Sequence, residues 1–486
     1  MTRDEVFWQS VVRELVALPR EMGWLELKQN KAEPQEIGEY ISALANSAAL
    51  ENKAHGYLVW GVHDESHAIL GTAFDPAACL IGAEELESWL LRLLTPKIGF
   101  QFHTVRIDDA RVVVLEIDRA FRHPVQFSGA EYIRIGTYKK KLKDFQEKER
   151  ELWRILDITP FEMLSAAERL SADEVVELLD YPAYFDLLAR PLPSGRDGVL
   201  HALESHQLIE RLDGGHWNIR NLGAILFARK LTDFGSLQRK AVRVIAYRGT
   251  SRVETQSEQI GNRGYAAGFE GLIGFINNLL PRNEVIGQAL RKTVAVYPEL
   301  AIRELVANAI IHQDFTVTGS GPMVEIFEDR MEITNPGKSL IDPQRLLDSP
   351  PRSRNEALAS LMRLIGICEE RGSGVDKVVF QTELYQLPAP AFEVVGDSMR
   401  STLFTPRPLS KMERVDRVRA VYLHACLRYV ERDFMTNSSL RARFGIDAKN
   451  SALASRLSKE AVTAGRIRVY DESASPKYRK YVPYWA

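Results

Sequence analysis

Apolar residues recur along this chain in two rhythms, one of about 3.6 residues and one of two, and together they lay out its elements. Residues 298–314, PELAIRELVANAIIHQD, place Leu305, Val306, Ala309 and Ile310 at helical spacing. That spacing predicts a helix seated on a sheet. Each residue turns an α-helix by about 100°, so Glu304, Asn308 and His312 fall within about 80° of one another. A carboxylate, an amide and an imidazole therefore share one face of a helix that is otherwise apolar. Burying such groups costs a few kcal/mol each unless a metal, water or nucleotide binds there. The alternative is that the face is simply solvated.

Downstream, residues 323–327 and 331–334 alternate as two strands around the turn Glu328-Asp329-Arg330, and the second strand runs into Asn335-Pro336-Gly337. Residues 370–377, ERGSGVDK, put glycines where a loop opens a helix, whose free N–H groups can face phosphates. Gly337-Lys338-Ser339 looks like the tail of a P-loop. That motif needs a glycine five residues earlier, and position 332 is Glu, so it is not a Walker site.

Near the start, WLELK alternates so that Trp24, Glu26 and Lys28 share one face of a strand and Leu25 and Leu27 the other. A helix is predicted over 36–49, an apolar central strand over 56–62 ending at His63-Asp64, a helix over 84–94, and strands over 101–107 and 111–117. Residues 131–136 close this α/β unit, followed by the basic run Lys139, Lys140, Lys141 and Lys143. Residues 153–230 read as mainly helical, resembling a small helix-turn-helix with a wing and serving as a spacer. A strand over 241–247 and a helix over 269–280 follow, joined by a polar loop over 249–264 that is long enough to be mobile. Beyond the stiff Pro406-Arg407-Pro408, helices over 415–430, 437–445 and 448–464 precede a hairpin of 466–470 with 478–484. That is the order of a winged helix-turn-helix.

Composition narrows the class. The 486 residues are 45% hydrophobic and 26% charged, an ordinary globular balance that predicts three or four domains. Cys79, Cys368 and Cys426 lie far apart without a CxxC pair, which argues against a local zinc module and a disulfide framework. The charged N-terminus and the lack of an 18-residue apolar run predict a cytoplasmic protein with no membrane partner. The net charge of −2 hides a segregation: from Lys411 onward there are 16 Lys and Arg against 8 Asp and Glu.

The succession of an ExxxN helix, a hairpin ending in NPG and a GSG loop resembles the GHKL (Bergerat-fold) ATP-binding proteins, in their RecG C-terminal-like branch. That resemblance implies that Glu304 polarises the attacking water, that Asn308 helps hold Mg²⁺, and that Asn335 and Gly337 lie under the adenine. It adds His312, Asp314, Arg354 and Ser373 to the nucleotide site and places Gly372 and Gly374 in a lid over the phosphates. Two departures stand out. Asn335 replaces the usual Asp, and Gln313 replaces the Arg of a His-Arg-Asp triplet, which leaves any phosphate contact of that Arg missing or to Arg352 or Arg354.

Glu21, Glu26, Asn46, Gly56, Gly61, Asp64, Arg134 and Gly136, in that order, resemble the Schlafen-type AlbA domain. In some Schlafens the acids that match Glu21, Glu26 and Asp64 cleave RNA, and three converging carboxylates would need Mg²⁺ or Mn²⁺ between them. Other relatives only bind nucleic acid, and the alternative is that Glu21 and Glu26 are solvated charges and Asp64 caps a turn. Phosphate contacts are expected from Lys28, Arg134, Lys139, Lys140 and Lys141, and in the C-terminal segment from Lys449, Arg456, Arg466, Arg468, Lys477 and Arg479.

The expected architecture is an α/β multidomain chain. It comprises a Schlafen AlbA-like α+β module over 1–148, a helical winged-helix-like spacer over 149–235, a GHKL-like α/β sandwich over 236–408 and a winged helix-turn-helix over 411–486. The expected function is a bacterial-type regulator or defence protein, transcriptional or antiviral, in which ATP gates engagement of DNA or RNA by a homo-oligomer with at most weak ATPase activity. The rivals are an ATP-controlled, metal-dependent nuclease and a non-enzymatic scaffold with a relict nucleotide pocket.

Overall fold

The structure, a computed structural model, describes residues 5–18, 21–64, 66–158, 160–212, 215–280, 282–286, 291–350, 352–368 and 373–486, without the side chains of 158, 282–286, 291–295 and 476. The chain divides once, into Met1–Pro160 and Phe161–Ala486. Both units are mixed α/β, and each carries more than one sheet.

In the first unit the predicted alternation of WLELK is realised in strand Leu25–Lys28, which pairs in parallel with His55–Trp60. Ala110–Asp118 and Phe100–Ile107 extend that sheet antiparallel. Leu25 and Leu27 are fully buried against Trp8, Val11, Val12 and Leu15 of helix Glu5–Val16. The opposite face, with Leu58, Trp60, Val113 and Leu115, packs on Ile37, Ile41 and Leu44 of helix Pro34–Leu50. That helix also meets a second sheet, ordered Tyr138–Lys141, Ala130–Ile135, Gln126–Phe127 and Leu94–Thr95. Small residues allow the fit: a Cβ on Gly38 would run into the Phe127 ring. Buried Asn46 meets its own hydrogen-bonding demand, donating to Val125 O and Tyr132 O and accepting from Val125 N. The run Lys139, Lys140, Lys141 is part of a strand rather than a loop, paired with Ala130–Ile135.

The second unit is built on a six-stranded sheet ordered Thr255–Ile260, Arg243–Tyr247, Met323–Ile326, Arg330–Pro336, Ser398–Phe404 and Ala391–Val395. Only Arg243–Tyr247 with Met323–Ile326 is parallel. Val244, Ala246, Val324, Ile326, Met331, Ile333 and Leu403 turn one face toward a layer of helices that includes Tyr265–Leu279, Glu299–His312 and Gly374–Leu384. The stretch over 249–264 corrects the expectation of a mobile loop, because it contains the edge strand Thr255–Ile260. TQSEQI lacks apolar alternation, as an edge strand exposed on its outer side does, so periodicity alone reads it as loop.

Residues between Phe161 and Ala228 hold a three-stranded antiparallel sheet, Ser165–Leu170, Trp217–Arg220 and Ile209–Arg211, with four short helices. Leu170, Leu203, Ile219 and Phe227 belong to the same continuous core as the large sheet. The C-terminal segment folds as helices Arg414–Val430, Asn437–Phe444 and Ser451–Thr463 and the hairpin Ile467–Val469 with Tyr481–Pro483. Thr436 caps the second helix and left-handed Gly445 ends it. Val418, Val421, Tyr422 and Leu427 share a core with Leu347, Val379 and Ala389. Among the described residues, no helix is long and apolar enough to cross a membrane.

Candidate functional site

The central helix of the second unit, Glu299–His312, has the expected apolar face and more: Ala301, Ile302, Ala307 and Ile311 are buried as well. It packs on strand Arg330–Pro336 of the sheet and beside helix Gly374–Leu384. Glu304, only 4% exposed, Asn308 and His312 all face one cavity of about 400 Å³, within the range of small-molecule sites. Asn335, Gly337 and Gly374 line the same cavity. The ExxxNxxxH face, the NPG turn and Gly374 therefore converge on one place.

Two glycines make the convergence sterically possible. Gly337 has φ +97°, and a Cβ there would strike the Arg354 guanidinium and stand 2.8 Å from Asp314 Cβ. A Cβ at Gly374 would stand 2.7 Å from Glu304 Oε2 and 3.7 Å from Asn308 Nδ2. The first turn of an 11-residue helix thus abuts the carboxylate and amide of the central helix. The N–H groups and dipole of a helix's first turn favour anions at such a wall.

The cavity also separates the remaining candidates. Arg354 and Asp314 are not among its lining residues. Arg354 lies 3.4 Å from Asp314 Oδ2 and donates to Lys338 O, while Asp314 accepts from Thr316 N. The pair braces the turn at Gly337. Ser373 is the N-cap of helix Gly374–Leu384 and is likewise not among the lining residues; Gly372 lies outside the described residues. Gln313 explains its departure from the His-Arg-Asp pattern. It is fully buried, donating to the Tyr265 hydroxyl and Ile310 O, so its side chain points into the core. The cations that line the cavity are Lys338, Arg352 and Arg363. Arg352 stood out as a possible substitute in the sequence, whereas Arg363, in the last turn of helix Glu356–Leu364, carried no motif. His312 is accessible from the cavity, and crowding by its walls, then the Arg354 charge, lowers its pKa.

In the first unit, Glu21 and Glu26 are brought together, but around a cation. Arg134 lies 2.8 Å from Glu21 Oε2 and also pairs with Glu26, and none of its side chain is exposed. Glu21 further accepts from Leu27 N at 2.8 Å, and Lys28 Nζ lies 2.5 Å from Glu26. Asp64 is exposed, in the electrostatic surroundings of the Tyr40 hydroxyl together with Glu36, Glu21 and Glu39; burial first, then these charges, raises the Tyr40 pKa. Among the described residues, no three acidic, histidine or cysteine side chains converge to hold a metal ion. With Arg134 between two of the three acids, this donor set does not suit a shared divalent ion. Arg134 is thereby corrected from a surface contact to a buried partner, drawn inward by two carboxylates. Lys139 pairs with Glu39 at 2.6 Å over the Tyr40 ring, which leaves Lys140, Lys141 and Lys143 as the exposed part of the run.

At the C-terminus Lys449 and Arg456 are exposed on or beside helix Ser451–Thr463, and Lys477 and Arg479 are exposed on the hairpin. Arg466 instead bonds Gln344, and Arg468 donates to Ala486 O.

Two stretches match known family models. Residues 21–143 match the Schlafen AlbA_2 model, and residues 319–403 match the model described as "Putative ATP-dependent DNA helicase recG C-terminal". The second match begins after the helix that carries Glu304 and spans the hairpin, the NPG turn, all of helix Gly374–Leu384 and most of strand Ser398–Phe404. Among solved structures, the DIP2311 protein from Corynebacterium diphtheriae is 17% identical, with 99% of this chain and 97% of that one covered and a TM-score of 0.43. The N-terminal domain of a "Putative ATP-dependent DNA Helicase RecG-related Protein" from Nitrosomonas europaea is 19% identical, covering 27% of this chain and 90% of its own, with a TM-score of 0.19. No curated protein matches the chain.

Proposed function

We propose that this chain, which joins a Schlafen AlbA_2 domain to a RecG C-terminal-like domain, is an ATP-binding regulator or defence protein in which the nucleotide governs its hold on nucleic acid. The observation that carries this reading is the cavity where Glu304, Asn308, the Gly337 turn and the first turn of helix Gly374–Leu384 converge. Asn335 and Gly337 would hold the base, and Arg352 with the N–H groups at Gly374 would meet the phosphates. Asn308 would hold Mg²⁺, which neutralises phosphate charge when bound with ATP. Glu304 would orient a water toward the terminal phosphate, so slow turnover is compatible with the site.

The AlbA_2 domain enters this reading as a binding module. Two of its three candidate acids, Glu21 and Glu26, are satisfied by Arg134 and Lys28, and the exposed cations Lys140 and Lys141 sit on a strand at the sheet edge. The three C-terminal helices and hairpin have the order of a winged helix. Helix Ser451–Thr463 would be the element that enters a duplex groove, with Lys449 and Arg456 on phosphates. A nucleotide-dependent homo-oligomer in the cytoplasm completes the proposal.

The test is fluorescence anisotropy of labelled DNA and RNA against the full chain, with and without ATP and Mg²⁺. The reading expects nucleic-acid affinity to change by about fivefold or more on adding ATP, a coupling of about 1 kcal/mol. Identical titrations with and without ATP would contradict it.

A further inference from the structure

The C-terminal hairpin carries a feature that a phosphate-contacting wing does not need. Tyr470 and Tyr478, on the connection between its strands, are 55% and 69% exposed. Exposing two large rings on one short excursion leaves much of their apolar surface in water. Phe434 continues the surface at the base of the hairpin, its ring centroid 4.5 Å from that of Tyr470. Cations are interleaved with the rings: Lys480 Nζ stands 4.7 Å from the Phe434 centroid and Lys477 Nζ 5.6 Å from that of Tyr478. Arg479 is exposed between them.

The acids of the neighbourhood are mostly committed elsewhere. Asp471 accepts from Ser473 N and Oγ within its own turn, and Asp433 accepts from Phe434 N and pairs with Arg428. Glu472 remains exposed. Among the described residues, no ion pair engages Lys477, Arg479 or Lys480, although the Lys480 charge adds, after the Phe434 amide and Arg428, to the pull that lowers the Asp433 carboxyl pKa.

Accessible ring faces alternating with uncommitted cations suit a ligand that alternates flat, stackable groups with negative charge. Duplex DNA presents its phosphates but hides its base faces. A single strand presents both, and base–aromatic stacking tolerates any sequence. We infer that the hairpin is a stacking site for unpaired bases, so that the C-terminal segment takes single-stranded nucleic acid, or the single-stranded arm of a junction, along Tyr470 and Tyr478. This rests on the nucleic-acid-binding reading above and names its substrate class. A charged surface for acidic protein segments is the competing occupant.

The experiment uses the full chain and anisotropy with a labelled oligothymidylate of about 15 nucleotides, a blunt duplex of the same length, and polyglutamate as competitor. Both tyrosines are exposed, so the Tyr470→Ala, Tyr478→Ala double variant should melt like the wild type. It is expected to bind the single strand about tenfold or more weakly and the duplex within about twofold of wild type. The Tyr→Phe pair should restore single-strand binding. Lys449→Ala with Arg456→Ala should show the reverse pattern, losing duplex first. Unchanged single-strand affinity in the double alanine variant, or equal losses on both ligands, overturns the inference. So does competition by polyglutamate at an equal charge concentration, since charge alone would then account for binding. A wild type that binds duplex but not the single strand defeats this inference and leaves the broader reading standing. Binding to neither ligand, with or without ATP, defeats both.

Discussion

Gly374 shows how one missing side chain shapes the cavity. A Cβ there would press to 2.7 Å on Glu304 Oε2, so Gly374→Ala must push the carboxylate or the helix start aside. ATP affinity measured by calorimetry is expected to fall about tenfold; unchanged affinity would mean that this wall does not touch the nucleotide. Glu26 supplies a prediction in the first unit. Glu26→Ala leaves the buried Arg134 guanidinium with Glu21 as its carboxylate partner, so the cost falls at or below the lower end of the range, about 3–5 kcal/mol, for breaking a buried ion pair outright. Urea unfolding should report a loss of that order, and a variant as stable as wild type would contradict the buried-pair account. The glycines were legible in the sequence because a Gly in a turn states its own steric reason. Gln313 and Arg134 were not. Whether a long polar side chain turns into the core or toward a ligand depends on partners distant in sequence, Tyr265 for one and Glu21 with Glu26 for the other.

Two helices that border the cavity are each tied at an end, and these ties carry consequences for the elements. Helix Glu356–Leu364 is capped from afar: Glu162, 1% exposed, accepts from Ala357 N at 2.5 Å and Leu358 N at 3.3 Å. Burial pushes the Glu162 carboxyl from 4.5 up to about 6, against the pull of those two amides, and the Glu356 charge adds to the rise. Between pH 4.5 and about 6 the folded chain therefore holds a proton that the unfolded chain has released. Stability contributed by this group falls as pH rises through that window, by about 2 kcal/mol in all. Glu162→Gln should remove this component, so subtracting its pH–stability profile from that of the wild type leaves a downward slope from pH 4.5 to 6; parallel profiles would contradict the assignment. Helix Gly374–Leu384 begins at Glu304 and ends near Glu383, which accepts from His424 Nδ1 at 2.9 Å and lies 3.3 Å from Arg443 Nε. One rigid helix thus joins the cavity to the C-terminal helices. Long periodic elements such as Glu299–His312 and Arg414–Val430 were legible from apolar spacing alone. The polar edge strand Thr255–Ile260 was not, since its partner strand rather than its own pattern makes it a strand.

Across the whole molecule, charge and chemistry are sorted by position. The excess of cations lies in the C-terminal segment, the cavity lies in the unit that segment belongs to, and the AlbA_2 match lies within the other unit. The order of the two matched modules was readable from motif succession, because each motif needs its neighbours in a fixed sequence. The shared core that fuses residues 170–228 with the large sheet was not readable, since hydrophobic spacing says which face is buried and not against what. Everything proposed for the assembled protein depends on an occupied cavity. Isothermal calorimetry of the full chain with ATP and Mg²⁺ tests that directly, using Asn308→Ala as the comparison. The account predicts submillimolar binding by the wild type, that is, a free energy of at least about 4 kcal/mol in magnitude, and loss of that heat in the variant. Absence of binding by the wild type, or equal binding by both proteins, would contradict it.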